Sequence, residues 1–167
     1  RNIETLKRLA PGTDILFNLA GQASYSDSMA DPMRDFDISC MGHLAVLEAC
    51  RLKNPKTRLV FASSRMVYKR NLPGPVAESA ETEPLTIYGV HKLTTEKYHR
   101  LYANAYDMPT VSLRVTNPYG PRQRSTAGKY SLVNWFLNLA MRGETLNIFG
   151  DGRQLRDYLY IDDLVEV

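Results

Sequence analysis

The sequence predicts an α/β fold built on a doubly wound parallel sheet. Three strand-like segments, residues 14–20, 58–64 and 110–115, alternate with two long helical patterns at 33–52 and 86–105. Strands that alternate with helices of this length are typical of βαβ units and therefore of a parallel sheet. The nearly continuous apolar run of the first segment is typical of a strand buried on both faces. We therefore expect three adjacent or near-adjacent parallel strands in one sheet, with helices packed on its faces.

The composition is that of a soluble globular protein. The chain has 167 residues, of which 44% are hydrophobic and 23% charged, and its net charge is +3. The basic residues are scattered, which argues against a nucleic-acid partner, and no apolar run reaches membrane-spanning length. Cys40 and Cys50 lie too far apart on one predicted helix to form a disulfide, so we expect reduced thiols and a cytoplasmic protein. The three histidines have no metal-ligand spacing with either cysteine, and we expect no metal site.

The first half of the chain alternates helix, strand, helix and strand. A short helix over Ile3–Ala10 should end at Pro11-Gly12, a pair that breaks helices. After the first strand, the polar stretch 22–32 leads to the helix at 33–52, which is followed by the second strand at 58–64. The inner stripe predicted for that helix consists of Phe36, Cys40, Leu44, Leu47 and Cys50.

The polar residues that follow the strands are expected to meet at one edge of the sheet. A loop rich in proline, glycine and acidic residues spans 69–84 and is long enough to suggest a function. The helix at 86–105 and the third strand follow it. The carboxyl ends of the three strands then bring together Ala20-Gly21, Ser63-Ser64 and Thr116-Asn117. Ligands of open α/β sheets bind at that edge.

Beyond the third strand the pattern changes. The segment Asn117-Pro-Tyr-Gly-Pro121 predicts an interruption of regular structure. An amphipathic helix near 130–142 and a short strand at 146–149 should follow. Asp162-Asp163 is typical of the cap and first turn of a further helix.

Tyr88 and Lys92 are the most informative pair of side chains. They are four residues apart in a predicted helix and so lie one turn apart on the same face. A tyrosine hydroxyl has a reference pKa of about 10 and is a poor base at neutral pH. A nearby ammonium group favours the phenolate, which makes the pair a candidate for proton transfer.

Five separated motifs occur in order along the chain. They are Leu19-Ala-Gly21, Ser64 followed by Met66-Val-Tyr68, Tyr88-x-x-x-Lys92, Leu113-Arg-Val-Thr-Asn-Pro-Tyr-Gly120, and Phe149-Gly-Asp-Gly152 followed by Arg156-Asp-Tyr. In this combination the chain resembles the extended short-chain dehydrogenase/reductase family, specifically its NAD-dependent nucleotide-sugar epimerases and dehydratases. The resemblance covers nearly all of the chain. It implies a partial Rossmann-type dinucleotide-binding domain at 1–121, the beginning of a C-terminal substrate-binding region at 122–167, and NAD as cofactor.

The resemblance also implies roles for individual residues. Tyr88 matches the catalytic base, Lys92 the lysine that holds the nicotinamide ribose and lowers the tyrosine pKa, and Ser64 the residue that hydrogen-bonds the reacting sugar hydroxyl. Asn117 and Arg156 match substrate-binding positions, and the planar fork of an arginine suits a diphosphate. The positions matching those that contact the cofactor are Leu19, Ala20, Gly21, Ala62, Ser63, Tyr88, Lys92 and Thr116.

Three features depart from the family pattern. The Gly-x-x-Gly-x-x-Gly turn that binds pyrophosphate is absent, so we expect an internal fragment that lacks the first strands and the C-terminal part of the substrate region. Ser39 stands where the family often has an asparagine, three residues before Gly42. Arg65-Met66 follows Ser64, where nucleotide-sugar dehydratases usually carry Asp-Glu and decarboxylases keep a Glu.

The resemblance implies an NAD-dependent epimerase of the UDP-hexose 4-epimerase type, which acts by transient oxidation to a keto-sugar. Elimination of water needs a further acid and base, which Met66 cannot supply, so epimerisation is favoured. Four alternatives stay open: a 4,6-dehydratase, a decarboxylase, a truncated relative without catalysis, and an unrelated α/β binding module. The fragment by itself is expected to be inactive. The two long helices resemble those of a four-helix dimer interface, and we expect a homodimer or higher homo-oligomer.

Overall fold

The computed structural model describes residues 2–123 and 131–167. They form two compact units that divide between Arg114 and Val115, a few residues before the boundary expected from the sequence. The elements of the first unit are α1 (Ile3–Leu9), β1 (Ile15–Asn18), α2 (Tyr25–Ala30), α3 (Pro32–Phe36), a π-helical turn (Asp37–Met41), α4 (Gly42–Lys53), β2 (Arg58–Ser64), a 3₁₀ turn (Arg65–Val67), α5 (Ile87–Tyr106) and, except for its last residue, β3 (Thr110–Val115).

The three predicted strands form one sheet in the order β1-β2-β3. Strand β1 runs parallel to β2, with Ile15 opposite Arg58 and Asn18 opposite Phe61. The Leu59 amide donates to the Pro109 carbonyl at 2.8 Å, which places the beginnings of β2 and β3 side by side, as parallel neighbours require. The predicted α/β class and the predicted strands are therefore confirmed.

Only one face of this sheet is covered by the described residues. Leu59 and Phe61 are buried on the face that packs against the helices, whereas Ile15 and Phe17 are exposed on the other face. The expectation that β1 is buried on both faces is therefore wrong for this chain. The reason is topological: right-handed crossovers that add strands in one direction place their helices on the same side of the sheet.

The hydrophobic core lies between this covered face and helices α1, α4 and α5. It consists of Ala10, Leu47, Cys50, Leu59, Tyr102 and Met108. Of the residues predicted on the inner stripe of the long helix, Cys40, Leu47 and Cys50 are buried, whereas Phe36 is partly exposed. Both cysteines carry unpaired thiols, as expected.

The region before α4 is more helical than the sequence suggested. The polar stretch contains α2, whose first turn is capped by the Ser24 hydroxyl. The long helix predicted at 33–52 is present, but the π-helical turn interrupts it. In that turn the Ser39 carbonyl accepts a hydrogen bond from the Thr95 hydroxyl at 2.8 Å. The Ser39 hydroxyl is buried and has no hydrogen-bond partner among the described residues.

Helix α5 follows the predicted span closely, because both ends are determined locally. Thr86 caps its beginning, with the hydroxyl accepting from the Gly89 amide at 3.1 Å. Asp107 ends it in the left-handed conformation, at φ 53°. This long helix carries Tyr88 and Lys92 in its first two turns.

The second unit contains β4 (Asn117–Tyr119), α6 (Leu132–Met141), β5 (Tyr158–Tyr160) and α7 (Ile161–Glu166). Two expectations for this unit are wrong: residues 117–119 form a strand that pairs in parallel with β5, and residues 146–149 do not form one. Strand β4 exists because a partner from forty residues later supplies its hydrogen bonds, which no local pattern reveals. The predicted helix near 130–142 is observed as α6; residue 130 lies outside the described residues. Asp162-Asp163 lie in the first turn of α7, after Tyr160 as its cap.

Candidate active site

Ser64 is the last residue of β2 and begins the 3₁₀ turn. Its hydroxyl accepts a hydrogen bond from the Met66 amide at 3.2 Å, which caps the turn. The residue is buried at the carboxyl end of the strand. The turn therefore determines the direction in which the Ser64 hydroxyl points.

Tyr88 lies in the first turn of α5 and contacts Ser64. Interaction with the Ser64 hydroxyl lowers the pKa of the Tyr88 hydroxyl, so the two side chains lie next to each other. The Tyr88 amide donates to the Ser28 hydroxyl of α2 at 3.0 Å, so the backbone of the tyrosine is also held. The fold thus brings together side chains from two separate elements.

The pKa of the Tyr88 hydroxyl lies above its ordinary value. Burial raises it above its ordinary value, the hydrogen bond from Ser64 lowers it, and the negative charge of Asp35 raises it. At neutral pH the phenol therefore holds its proton. The lowering of this pKa by Lys92, which the resemblance implies, stays a prediction.

The Lys92 amine is buried next to the end of β2. The residue is 6% exposed, and its Nζ donates to the Ala62 carbonyl at 2.6 Å. Nζ also lies 4.8 Å from the centre of the Phe61 ring and 5.7 Å from that of Tyr88. Burial lowers the pKa of Lys92 to about 8. The amine is thus positioned beside the tyrosine ring.

A charged network lies one helical turn beyond Lys92. Glu96 accepts hydrogen bonds from the Ser63 hydroxyl and from both Nε and Nη2 of Arg114, the latter at 2.8 Å. Arg114 also donates to the Glu78 carbonyl and stacks its guanidinium over the Tyr68 ring, at 4.7 Å. The hydroxyl of Ser63, an expected cofactor position, is thus engaged in holding α5 against the sheet.

The end of β1 is tied to α4 by a buried histidine. His43 lies between the Asn18 amide nitrogen, 2.7 Å from Nδ1, and the Ala20 carbonyl, 2.9 Å from Nε2. Because a carbonyl only accepts, Nε2 carries the proton and Nδ1 accepts from Asn18. Burial lowers the pKa of His43 to about 4, which keeps the ring neutral. These bonds hold the backbone that leads to Gly21.

Gly21 passes close to the lysine amine. A Cβ atom added at Gly21 would lie 3.6 Å from Nζ of Lys92, and apart from the adjacent residues no other atom of the described part of the chain would lie within 4 Å. The glycine therefore leaves open space in front of the amine. Leu19, two residues before Gly21, is 70% exposed, so it lies at the rim of the site rather than in the hydrophobic core.

Asp35 and His91 form a buried pair beside the tyrosine and the lysine. Oδ2 of Asp35 lies 2.5 Å from Nδ1 of His91, and its Oδ1 has no hydrogen-bond partner among the described residues. The carboxylate raises the pKa of both Tyr88 and Lys92 through its charge, although burial has the larger effect on each group. Asp35 is therefore a buried source of negative charge that acts on both groups.

Three expected site residues belong to the second unit. Thr116 lies between β3 and β4. The Asn117 side chain donates to the Asp157 carbonyl at 2.7 Å and so joins β4 to the segment before β5. Arg156 is exposed, and its Nη1 donates to the Leu155 carbonyl at 2.8 Å.

Sequence reasoning missed several residues that shape the site, namely Ser28, Asp35, Glu96 and Arg114. A signal existed for Glu96, because it follows Tyr88 and Lys92 at the same four-residue spacing and thus extends their face of the helix. None existed for Ser28 or Asp35, which reach the site only through the packing of α2 and α3 on α5. Within residues 2–123 and 131–167, no three histidine, cysteine or acidic side chains come together as metal ligands. None of the described helices has the length and hydropathy needed to cross a membrane.

The fold and this set of side chains define an α/β protein with a Ser, Tyr and Lys site at the carboxyl edge of a parallel sheet. The family model described as "NAD dependent epimerase/dehydratase family" matches residues 1–167. The chain belongs to this family, as the motifs indicated. The NAD-dependent character of the family agrees with the cofactor expected from the sequence.

Individual relatives agree with this assignment. The chain is 38% identical, over 96% of its length, to a protein of Bacillus subtilis named an uncharacterized UDP-glucose epimerase, and covers 49% of that protein. The structure of UDP-glucose 4-epimerase from Thermotoga maritima with UDP-glucose is similar over 99% of this chain and 54% of the epimerase chain, with 34% identity and a TM-score of 0.92. UDP-glucose 4-epimerase from Thermus thermophilus in complex with NAD matches 99% of the chain and 55% of its own, with 30% identity and a TM-score of 0.86.

The family neighbours are not all epimerases. A dTDP-glucose 4,6-dehydratase from Streptomyces venezuelae matches 99% of the chain and 50% of its own, with 25% identity and a TM-score of 0.88. The chain spans about half the length of the curated relatives it matches.

Proposed function

We propose that this chain forms part of a nucleotide-sugar epimerase of the UDP-hexose 4-epimerase type. The observation that carries the proposal is the placement of three groups at the end of β2: the Ser64 hydroxyl, the Tyr88 hydroxyl whose pKa it lowers, and the buried amine of Lys92 beside the tyrosine ring. Two hydroxyls and an amine at the ligand-binding edge of a parallel sheet suit proton transfer to and from an alcohol. The UDP-glucose 4-epimerases among the structural relatives support the reaction class.

In the proposed reaction Tyr88 exchanges a proton with a sugar hydroxyl. Removing that proton requires the phenolate, which the hydrogen bond from Ser64 favours. Returning it requires the phenol, the form that burial stabilises. Ser64 would also hydrogen-bond the sugar oxygen and stabilise the negative charge that develops there. The two residues would thus serve both directions of a reversible oxidation of a secondary alcohol.

The residues around Gly21 fit the nicotinamide-ribose part of NAD. The open space in front of the Lys92 amine is the feature that favours this fit, since a side chain at Gly21 would enter it. Among the described residues the amine has a hydrogen bond to the Ala62 carbonyl, which leaves N–H groups to donate to ribose hydroxyls. We propose that Leu19, Ala20, Gly21, Ala62, Ser63, Tyr88, Lys92 and Thr116 line the cofactor. Bound NAD supplies the hydride acceptor for the oxidation.

The glycine turn that binds pyrophosphate in this family is absent from the sequence. Because the chain also spans about half the length of its relatives, we propose that the activity belongs to a longer protein that contains it. We expect the 167-residue chain alone to show little or no turnover. The unpaired buried thiols of Cys40 and Cys50 support a cytoplasmic location for that protein.

Met66 favours epimerisation over elimination. It lies in the 3₁₀ turn directly after Ser64, at the position where dehydratases usually have an acid. A thioether neither donates nor accepts a proton at neutral pH, so the turn offers no group for the loss of water. A 4,6-dehydratase is the second candidate, because a protein of that activity is among the structural relatives.

Substrate contacts are proposed for Ser64, Asn117 and Arg156. Arg156 is exposed, and a guanidinium can bind a diphosphate through two parallel hydrogen bonds. Asn117 carries an amide at the beginning of β4, where it contacts the Asp157 carbonyl. We propose that these two residues bind the nucleotide diphosphate, while Ser64 binds the sugar.

We also propose a homodimer formed through α4 and α5. Both helices carry exposed apolar side chains, among them Leu52 on α4 and Val90 and Leu101 on α5. Exposed apolar residues on adjacent helices are suited to pairing with the same helices of a second copy.

The proposed reaction is tested by expressing the chain with its flanking coding sequence and incubating it with UDP-, GDP- and dTDP-sugars. We expect a 4-epimer as product with one of them. Tyr88→Phe keeps the ring but removes the hydroxyl, so it should abolish turnover while leaving the fold and sugar-nucleotide binding nearly unchanged. Tyr106→Phe, at the far end of the same helix, is the matched control and should keep full turnover. Wild-type turnover of Tyr88→Phe would exclude the proposed mechanism.

A further inference from the structure

The backbone of Met66 contacts both the Ser64 hydroxyl and the first turn of α5, which carries Tyr88. Its N–H donates to the Ser64 hydroxyl at 3.2 Å, and its carbonyl faces Gly89, the residue after Tyr88. The Ser64 hydroxyl in turn contacts that of Tyr88. The 3₁₀ turn and the first turn of α5 are therefore in contact at two points, one between side chains and one between backbones.

The backbone contact requires a glycine. A Cβ atom at Gly89 would lie 2.5 Å from the Met66 carbonyl oxygen and 2.9 Å from Cβ of Pro84. The first neighbour is a backbone atom, so no side-chain rotation can relieve the overlap. Ordinary contact begins at 3.4 Å, and an added methyl group would therefore separate the turn and the helix by up to about 0.9 Å.

Helical conformation does not explain this glycine. Gly89 lies inside α5, and its φ is not positive. Alanine is the better helix former at such a position, so the backbone alone favours replacing it. What alanine cannot reproduce is the close approach to Met66.

We propose that Gly89 is a positioning residue, whose missing side chain lets α5 approach Met66 closely enough for Ser64 and Tyr88 to meet. This inference rests on the proposed function only in that it assigns the two hydroxyls to one site. Other contacts hold the helix start in place: the Ser28 hydroxyl binds the Tyr88 amide, and the Thr86 hydroxyl binds the Gly89 amide. With those contacts kept, the added methyl group acts mainly on the distance between the turn and the helix.

The test is a double-mutant cycle read on Tyr88 itself. The pKa of the tyrosine is followed by NMR of a ¹³C-labelled phenol carbon in the 167-residue chain, with Gly89→Ala, Ser64→Ala and the double variant. Loss of the contact removes the hydrogen bond that lowers this pKa, so each single variant should raise it. The double variant should raise it no further than Ser64→Ala does, because both changes remove the same contact.

Gly42→Ala is the matched control. Gly42 is also helical and has a non-positive φ, and a Cβ atom there would have ordinary contact, 3.7 Å from the Asp37 carbonyl oxygen. It should leave the Tyr88 pKa unchanged. Thermal melting monitors folding of every variant.

In the longer protein, Gly89→Ala should lower kcat roughly hundredfold with KM nearly unchanged, as expected for a displacement of this size in a catalytic pair. The NMR measurement needs no turnover, so an inactive wild type would contradict the proposed function without affecting the positioning inference. An unchanged Tyr88 pKa in Gly89→Ala would overturn the inference, as would additive shifts in the double variant. Failure of Gly89→Ala to fold would also overturn it, because the glycine would then support the fold rather than the site.

Discussion

The network formed by Ser63, Glu96 and Arg114 predicts that Glu96→Gln lowers the free energy of unfolding substantially. Glu96→Gln preserves shape but removes the charge and turns an amide N–H towards the guanidinium. The side chains of Arg114 and Glu96 are 21% and 10% exposed, so the arginine keeps a mostly buried charge without its counter-ion. Removing one partner of a buried pair costs about 3–5 kcal/mol. The remaining contacts of Arg114 to the Glu78 carbonyl and the Tyr68 ring reduce this, and we expect a loss of about 2–3 kcal/mol.

Urea unfolding of the 167-residue chain measures this loss directly. The expected loss corresponds to a fall in Tm of about 5–10 °C for a chain of this size. Glu4→Gln is the matched control, since Glu4 also pairs with a basic residue, Lys7 at 2.9 Å, but its side chain is 77% exposed. The control should leave the unfolding midpoint unchanged, because an exposed pair contributes little.

A double variant tests whether the stability lost in Glu96→Gln comes from the unpaired charge of Arg114. Replacing both partners, as Glu96→Met with Arg114→Met, removes the uncompensated charge and should lose less stability than Glu96→Gln alone. A Glu96→Gln chain as stable as the Glu4→Gln control would refute the reasoning. It would mean that the network does not hold α5 against the sheet.

Two further predictions concern charge and assembly. Lys92→Met should be more stable than the wild type at pH 7, by roughly 3 kcal/mol if the whole shift from 10.5 to about 8 is realised. Between about pH 8 and pH 10.5 the unfolded state binds more protons than the folded state, so the free energy of unfolding of the wild type should rise with pH there. The difference in stability between Lys92→Met and the wild type should therefore shrink over this range. A difference that stays constant from pH 7 to 10.5 in urea unfolding would contradict this. The protein should be a homodimer or larger by light scattering at high micromolar concentration, and Leu101→Lys on the exposed face of α5 should weaken it; a monomeric wild type would refute the proposed interface.

Local patterns in the sequence determined the elements that carry the site. The apolar runs predicted all three strands of the first unit, and the helical pattern at 86–105 predicted α5. These features depend on neighbouring residues along the chain, where periodicity and capping act. The order of the strands then placed Ser64 and Tyr88 at one edge of the sheet, which is why their contact could be expected from the sequence.

Only the tertiary structure decided the chemistry around these residues. Packing directs the Lys92 amine to the Ala62 carbonyl, and burial raises the pKa of the Tyr88 phenol; the spacing of the two residues indicates neither effect. Strand β4 likewise depends on a partner forty residues away. Residue spacing determines which side chains share a face, whereas burial, hydrogen-bond partners and charges from distant elements determine their pKa values. The approach of Gly89 to Met66 also depends on distant elements, because it arises only when the 3₁₀ turn and α5 pack together.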